Sequence, residues 1–250
     1  MASQLDILHR GRGDTAVLLF HGLLGIPAEL RALANALAGD GHTVYAPLLP
    51  GRGTRAEDMY GLSWEDWMAA ALEAYDELAR DHRYVVVGGQ SAGGTMALDV
   101  ALRRDPAALL LYATALGIGP RGAYLAPLVW RFIRCWPAPP SDLVDSEGEC
   151  VTYDPAPVRP VSELIWAIRR IRPRLREIDA PALIAHAVSD KFVPLRCAQE
   201  LATALRGHVE TLFLSDTGHA ITADAKRHEV VAASRRFLGQ CFQQAELRSA

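Results

Sequence analysis

Residues 84–94 read Tyr-Val-Val-Val-Gly-Gly-Gln-Ser-Ala-Gly-Gly. Val85, Val86 and Val87 are β-branched and extend the backbone, two glycines break the run, and Ser91 leads into small residues and helix formers from Ala92 to Leu102. The predicted order is strand, sharp turn, helix. Gly89 to Gly93 fits the pattern G-x-S-x-G, in which a serine on a strained strand-to-helix turn lifts its hydroxyl clear of a sheet, and small flanking residues give clearance. The pentapeptide alone decides nothing, because any tight turn of this kind favours Gly, Ser and Ala.

Working outward, the chain alternates strands and helices on both sides of this turn. Leu5 to Leu8 predicts a short strand, returned by a hairpin at Gly11-Arg12-Gly13-Asp14 into the continuously apolar Ala16 to Phe20, a strand buried on both faces. Arg12-Gly13-Asp14 spells an integrin-binding tripeptide but reads as that turn. Pro27 opens a helix to Ala38, Thr43 to Ala46 is a strand, and Pro47 to Gly53 is an irregular loop. Ser63, with Asp66 three residues on, caps a helix to Asp81. After the elbow come a helix from Ala92 to Arg104 and a strand from Ala107 to Ala113. The rhythm then fails from about Gly117 to Pro160, a Pro-rich stretch holding Trp130 and Trp136. It resumes with helix Val161 to Arg172, strand Ala182 to Ala185, helix Val193 to Leu205, strand Val209 to Phe213, and helix Thr222 to Cys241 ahead of a frayed tail. The alternation predicts one α/β domain with a mostly parallel sheet and helices on both faces. Residues 1–114 and 161–250 form its core, and 115–160 a small, partly helical cap insertion.

Composition narrows the function. The 250 residues are 50% hydrophobic and 22% charged, with a net charge of −3, and basic residues alternate with acids, so nucleic acid is excluded as a partner. Cys135, Cys150, Cys197 and Cys241 make no ligand pattern and read as reduced, mostly buried thiols. The N-terminus has no apolar h-region and no run approaches the roughly 18 apolar residues of a membrane span, so a cytoplasmic protein without stable membrane insertion is expected. Gly117 to Gly122 matches G-x-G-x-x-G, but Pro120 removes an amide a pyrophosphate would need, and no following strand ends in a ribose-binding acid. No cofactor or metal is expected.

A serine hydroxyl needs a base within hydrogen-bond reach, and the base needs an orienting group. Loops at the carboxyl ends of parallel strands are where such groups belong. Two late loops supply them: Asp190 follows strand Ala182 to Ala185, and His219 follows strand Val209 to Phe213. Asp190 also reads as a helix N-cap, and Asp216 as a competing acid, although three residues from His219 it approaches the imidazole poorly. His9, His42, His82, His186, His208 and His228 fall at turns or element ends and read as solvated. His21 reads as a loop-holding residue.

His21-Gly22-Leu23-Leu24-Gly25, Pro50-Gly51-Arg52-Gly53, the elbow, Asp190 with Val193-Pro194, and Gly218-His219 together resemble the small bacterial carboxylesterases and monoacylglycerol lipases of the α/β-hydrolase superfamily. The likeness covers nearly the whole chain and is weakest in the insertion. It implies the chain order Ser91, Asp190, His219 of a catalytic triad, an oxyanion hole from the amides of Leu23 and Ala92, a sheet lacking the usual first strand or strands, and hydrolysis of short to medium acyl esters. Leu23, Leu24, Trp130, Ile133 and Val193 are candidates for contact with the acyl chain. Two departures bear on chain-length preference: Gln90 stands where the family has Leu or His, and Arg52 where it more usually has His. Thioesterase, lactonase, acyltransferase and carbon–carbon hydrolase chemistry use the same triad. A non-catalytic binding module predicts a damaged triad, and here every member is present.

Overall fold

A computed structural model describes residues 5–138, 140–145 and 153–249, with side chains through residue 243. Its strands are β1 (Ile7–His9), β2 (Thr15–Phe20), β3 (Thr43–Ala46), β4 (Tyr84–Gln90), β5 (Ala108–Tyr112), β6 (Cys135–Trp136), β7 (Ala156–Pro157), β8 (Ala182–Ala187) and β9 (Val209–Leu214). The helices are α1 (Arg31–Gly39), α2 (Trp64–Asp81), α3 (Ala92–Ala101), α4 (Ala126–Val129), α5 (Val158–Ile171), α6 (Arg196–Ala204) and α7 (Arg227–Ser249).

Every residue of β2 is buried, and the strand's two-residue period sends alternate side chains to two separate cores. Ala16, Leu18 and Phe20 join the core packed by α2, α3, α5 and α6. Val17 and Leu19 join the one packed by α1 and α7, through Leu33, Leu37, Val230 and Phe237. A strand with helices on both faces needs apolar side chains at every position, which is why β2, β4 and β5 show no polar alternation.

The large sheet has the order β1-β3-β2-β4-β5-β8-β9. From β3 to β9 all neighbours are parallel, and β4 lies near the centre, so the turn after it opens at the carboxyl edge of the sheet. β1 departs from expectation: it pairs antiparallel with β3, not with β2 as the hairpin reading required. Both sides of β2 are occupied, by β3 and β4. The Gly11 turn instead seats on the start of β3, with Gly11 N–H donating to Thr43 Oγ1 at 3.0 Å.

Helix α2 begins as read, with Ser63 accepting from the Asp66 amide and Asp66 answering to the Ser63 amide in a capping box. Helix α5 starts at Val158, three residues before the predicted Val161, because Pro160 sits in its first turn, where a missing N–H is harmless. Helix α7 runs to Ser249, beyond the frayed end expected after Gln244, since Ala245, Glu246, Leu247 and Arg248 are good helix formers. Between β5 and α5, β6 and β7 pair as a small antiparallel ribbon that no sequence pattern announced, each being two residues long. Of the cysteines, Cys197 is buried, Cys135 and Cys241 are half-buried, and Cys150 lies outside the described residues.

Candidate active site

Ser91 follows the last residue of β4 with φ 58° and ψ −116°, a region a non-glycine residue enters only under constraint, at about 1–3 kcal/mol. The constraint is visible. Ser91 N–H donates to Tyr112 O at 2.8 Å, and Ser91 O accepts from the amides of Thr95 and Ala115, each at 3.2 Å. Two glycines let β2 and α3 close around the turn: a Cβ at Gly93 would fall 2.0 Å from Phe20 O, and one at Gly89 would fall 2.4 Å from the Gly93 carbonyl carbon.

The late loops deliver the base and the acid. His219 Nε2 lies 2.8 Å from Ser91 Oγ, and Nδ1 lies 2.7 Å from Asp190 Oδ2. Asp190 has no exposed side-chain surface. Its Oδ1 accepts from the amides of Phe192 and Val193, both at 2.8 Å, so one carboxylate both ties its own loop and holds the imidazole; it is not the helix N-cap of the alternative reading, because α6 starts only at Arg196, after Leu195, with no side-chain capping bond. Burial pushes the Asp190 carboxyl up, but the His219 hydrogen bond and charge and the two amides outweigh it, and it stays below its usual range. Burial pushes His219 down. The hydrogen bond and charge of Asp190, with the charges of Asp142 and Glu29, reverse that and hold the imidazole above its usual value. An imidazole held this way can take a proton from a hydroxyl in hydrogen-bond reach and keep it as an imidazolium. Asp216 pairs with neither partner; its backbone turns the loop with φ 57°.

His186 is not the solvated residue the sequence suggested. It ends β8 fully buried, with Nε2 3.0 Å from Val193 O and 3.5 Å from Asp190 Oδ2, and burial holds it below its usual pKa. A neutral Nε2–H beneath Asp190 braces the acid loop from the opposite side to His219.

The loop after β2 is held by bonds to its peptide groups. Gly22 O receives His21 Nδ1 at 2.9 Å and Gly25 N–H at 3.1 Å, and since a trans peptide points its N–H away from its carbonyl, these two bonds set the direction of the Leu23 N–H. His21 Nε2 accepts from the Leu49 amide at 3.2 Å, and burial, then the nearby Arg52 charge, lower its pKa to about 3. It is a neutral brace and exchanges no protons. Arg52 Nε donates to Leu23 O at 2.7 Å while its guanidinium lies 4.5 Å over the Trp67 ring. Among the described residues no protein group accepts from the amides of Leu23 or Ala92, and such amides can donate to an oxygen brought into the site.

Ser91 and His219 open on a cavity of about 490 Å³. Leu23, Leu24 and Val193 line it, together with Ile118, Trp136, Leu143, Tyr153, Leu164 and Phe192. Trp130 and Ile133, the other acyl-contact candidates, do not. Trp130 packs against the small core of Ala126, Val158, Val161 and Ile165 with Arg131 and Arg159 stacked on its ring, and Ile133 is half exposed. The insertion meets the cavity instead through its first residues, Ile118 to Ala123, and through Trp136 and the segment after it. Among the described residues, no group of three or more His, Cys, Asp or Glu side chains is placed to hold a metal.

Three residues tie the site together; Asp142 and Asp224 were not singled out for that role by the sequence, which left Gln90 open between packing behind the sheet and touching the His219 loop. Gln90, the departure beside the nucleophile, is buried and donates from Nε2 to His219 O at 2.8 Å while Oε1 accepts from Thr222. It fastens the base's loop to the elbow. Asp142, from the insertion, accepts from the amides of His219 at 3.0 Å and Lys191 at 3.3 Å, stapling the base and acid loops to each other. Asp224 is fully buried. Its Oδ2 takes the Thr217 hydroxyl and the Gly218 amide, and its Oδ1 the amides of Val144 and Asp145. Replacing Asp224 with alanine strands these donors, and is expected to remove about 2–4 kcal/mol of stability, a drop in melting temperature of roughly 10 °C by calorimetry.

The strand order, the elbow and the two late loops are those of an α/β-hydrolase. A family described as serine aminopeptidase S33 (Hydrolase_4) matches residues 11–226, and the chain belongs to it. It is 28% identical over 235 residues to a thermostable monoacylglycerol lipase of Bacillus sp. (strain H-257), covering 91% of this chain and 92% of that one. A carboxylesterase of Bacillus subtilis (strain 168) is 24% identical over 223 residues, covering 86% and 88%. Among solved structures, one from work on the metagenome-derived lipolytic enzymes LipS and LipT superposes with a TM-score of 0.89 at 23% identity, over 96% of this chain and 100% of that one. The fold agrees with the expectation from sequence. No helix among the described residues is long and apolar enough to cross a membrane.

Proposed function

We propose that the protein is a carboxylic ester hydrolase acting on short to medium acyl esters, monoacylglycerols included, through an acyl-enzyme on Ser91. The observation that carries this reading is the unbroken hydrogen-bonded line from Ser91 Oγ through His219 to Asp190 at the wall of an apolar cavity. His219 takes the proton from Ser91 Oγ as it attacks the ester carbonyl, and the amides of Leu23 and Ala92 receive the oxyanion. The imidazolium then protonates the departing alcohol, and water repeats the cycle in reverse. Residues 115–160 act as a cap over the acyl chain, Trp136, Leu143 and Tyr153 closing the cavity opposite Leu23 and Leu24.

Substrate class follows from the lining. Each added methylene buried against these side chains contributes about 0.8 kcal/mol, or about fourfold in kcat/KM, until the cavity is full. A panel of p-nitrophenyl esters and monoacylglycerols graded by acyl length is expected to show this rise from acetyl upward, then a plateau or fall beyond medium chains. Equal rates at every length, or preference for acetyl, would remove the acyl-binding role of the cavity.

A further inference from the structure

A buried carboxyl group stands behind the loop after β2 and has no part in the mechanism above. Glu29, in the turn that Pro27 opens, is 4% exposed, and its Oε1 accepts the Gly22 N–H at 2.5 Å. The loop folds tightly over it. A Cβ at Gly25 would fall 2.3 Å from Glu29 Oε2, and one at Gly22 would lie 3.2 Å from Oε1 and 3.8 Å from Ser91 Cβ. Glu29 also lines the cavity that holds Ser91 and His219. The carboxyl therefore lies against the loop that aims the Leu23 N–H, bonded one residue from the proposed oxyanion donor, and the same glycine, Gly22, faces both Glu29 and Ser91.

We propose that Glu29 is a positioning residue of the oxyanion loop that works in its neutral form, so that its ionisation slows turnover toward alkaline pH. The inference rests on the ester-hydrolase reading. As a neutral acid, Glu29 offers a carbonyl oxygen to Gly22 N–H and holds the loop without adding charge. As a carboxylate it keeps that bond but places a negative charge beside the site where the transition state develops another. Its opposing effect, support of the His219 imidazolium, acts on the base, whereas the charge itself is bonded one residue from the Leu23 amide.

The surroundings favour the proton. Burial pushes the Glu29 carboxyl up to about 7, against the pull of the Gly22 amide and the His219 charge. From the same loop, His21 is neutral at any working pH. From the loop after β3, Arg52 donates to Leu23 O and gives Glu29 no hydrogen bond. From the late loops come His219 and, behind it, Asp190. The insertion contributes Asp142 and Tyr153 to the cavity wall. Arg52 is itself lowered only to about 10, so its titration lies well above that of Glu29.

The sign is opposite to that of the base. Activity rises with pH as His219 loses its proton, and falls with pH as Glu29 loses its own. The test is the ratio of kcat for Glu29→Gln to kcat for the wild type, measured on p-nitrophenyl butyrate from about pH 6 to about pH 9: the ratio cancels the part of the His219 limb that the two proteins share, and the part that the Glu29 charge adds vanishes at the alkaline end, once His219 has lost its proton in both. Glutamine keeps the acceptor for Gly22 N–H and cannot ionise. The ratio is expected to lie within about threefold of unity near pH 6 and to climb about fivefold or more by pH 9. Glu29→Ala, which leaves the Gly22 amide without its acceptor, is expected to lower kcat about tenfold or more with KM changed less than about threefold. A ratio that stays flat or falls with pH overturns the proposal, as does a Glu29→Gln protein as impaired as Glu29→Ala near pH 6. Labelling of the wild type by a fluorophosphonate, absent in Ser91→Ala, checks the ester-hydrolase reading separately. A flat ratio in a protein that labels overturns the role of Glu29 alone.

Discussion

Ser91→Ala is expected to lower kcat for a p-nitrophenyl ester by about 10⁴–10⁶-fold and to abolish fluorophosphonate labelling. The change removes one atom from a turn whose shape is held by other means. Ser91 N–H still reaches Tyr112 O, and Ser91 O still accepts from Thr95 and Ala115, so alanine inherits the same φ of 58° and the same fold. Leu23, Ala92 and the cavity remain, and substrate binding with them, so KM is expected to change little. Without Oγ there is no atom to acylate, and the only nucleophile left for His219 to activate is water. Because the melting temperature stays within a few degrees of the wild type, the loss reads on chemistry and not on folding. Retained turnover, or labelling at another residue, would rule out Ser91 as the nucleophile.

Asp190→Asn is expected to lower kcat by about 10³–10⁴-fold with a small change in KM. The reason is the division of labour between its two oxygens. Oδ1 is claimed by the amides of Phe192 and Val193, which accept no other partner than an oxygen, so asparagine must put its oxygen there. Its NH₂ then faces His219 Nδ1 where Oδ2 stood at 2.7 Å. That reverses the tautomer: Nδ1 becomes the acceptor, the ring proton moves to Nε2, and Nε2 presents a donor to Ser91 Oγ in place of the lone pair that takes its proton. The imidazolium also loses the carboxylate that holds it above its usual pKa. A variant that keeps wild-type kcat would mean that His219 is oriented by something other than Asp190, with Asp142 of the insertion the other acid bonded to that residue, through its backbone amide.

Much of this was legible before the structure because it is local. The valine run, the glycines and Ser91 lie within a dozen residues, and backbone sterics alone turn them into strand, elbow and helix. The meeting of Ser91, Asp190 and His219 was legible by a second route: in a parallel sheet the loops that share an edge are the ones after each strand, so an acid after β8 and a histidine after β9 meet a serine after β4. Ser63 with Asp66 announced α2 for the same local reason.

What escaped is the bracing. Glu29 in the first turn of a helical segment reads as an ordinary acid favoured by a helix N-terminus, and only the fold puts it under Gly22 and Gly25. Gln90 reads as a departure from a family pattern, and its bond to His219 O spans 129 positions. Asp142 falls in the irregular insertion and Asp224 in the first turn of the helix predicted from Thr222, yet each gathers amides from segments far apart in the chain. Trp130 and Trp136 are both apolar residues of the insertion, and nothing in their neighbours says that the first packs under arginines while the second walls the cavity. The pairing of β1 with β3 was lost in the same way, because a turn's residues permit a hairpin without saying which edge of the sheet is free.

The division has one physical origin. Residue type acts over a few bonds through sterics and hydrophobic period, and that is enough to specify the strands, the elbow, the parallel order and therefore which three side chains can converge. Hydrogen bonds to backbone groups, the aim of a loop amide and the proton held by a buried carboxyl depend on what stands on the other side of a contact. For Ser91 that other side is Asp142, Asp224, Glu29 and the His219 loop that its neighbour Gln90 fastens, and tertiary packing alone brought them there.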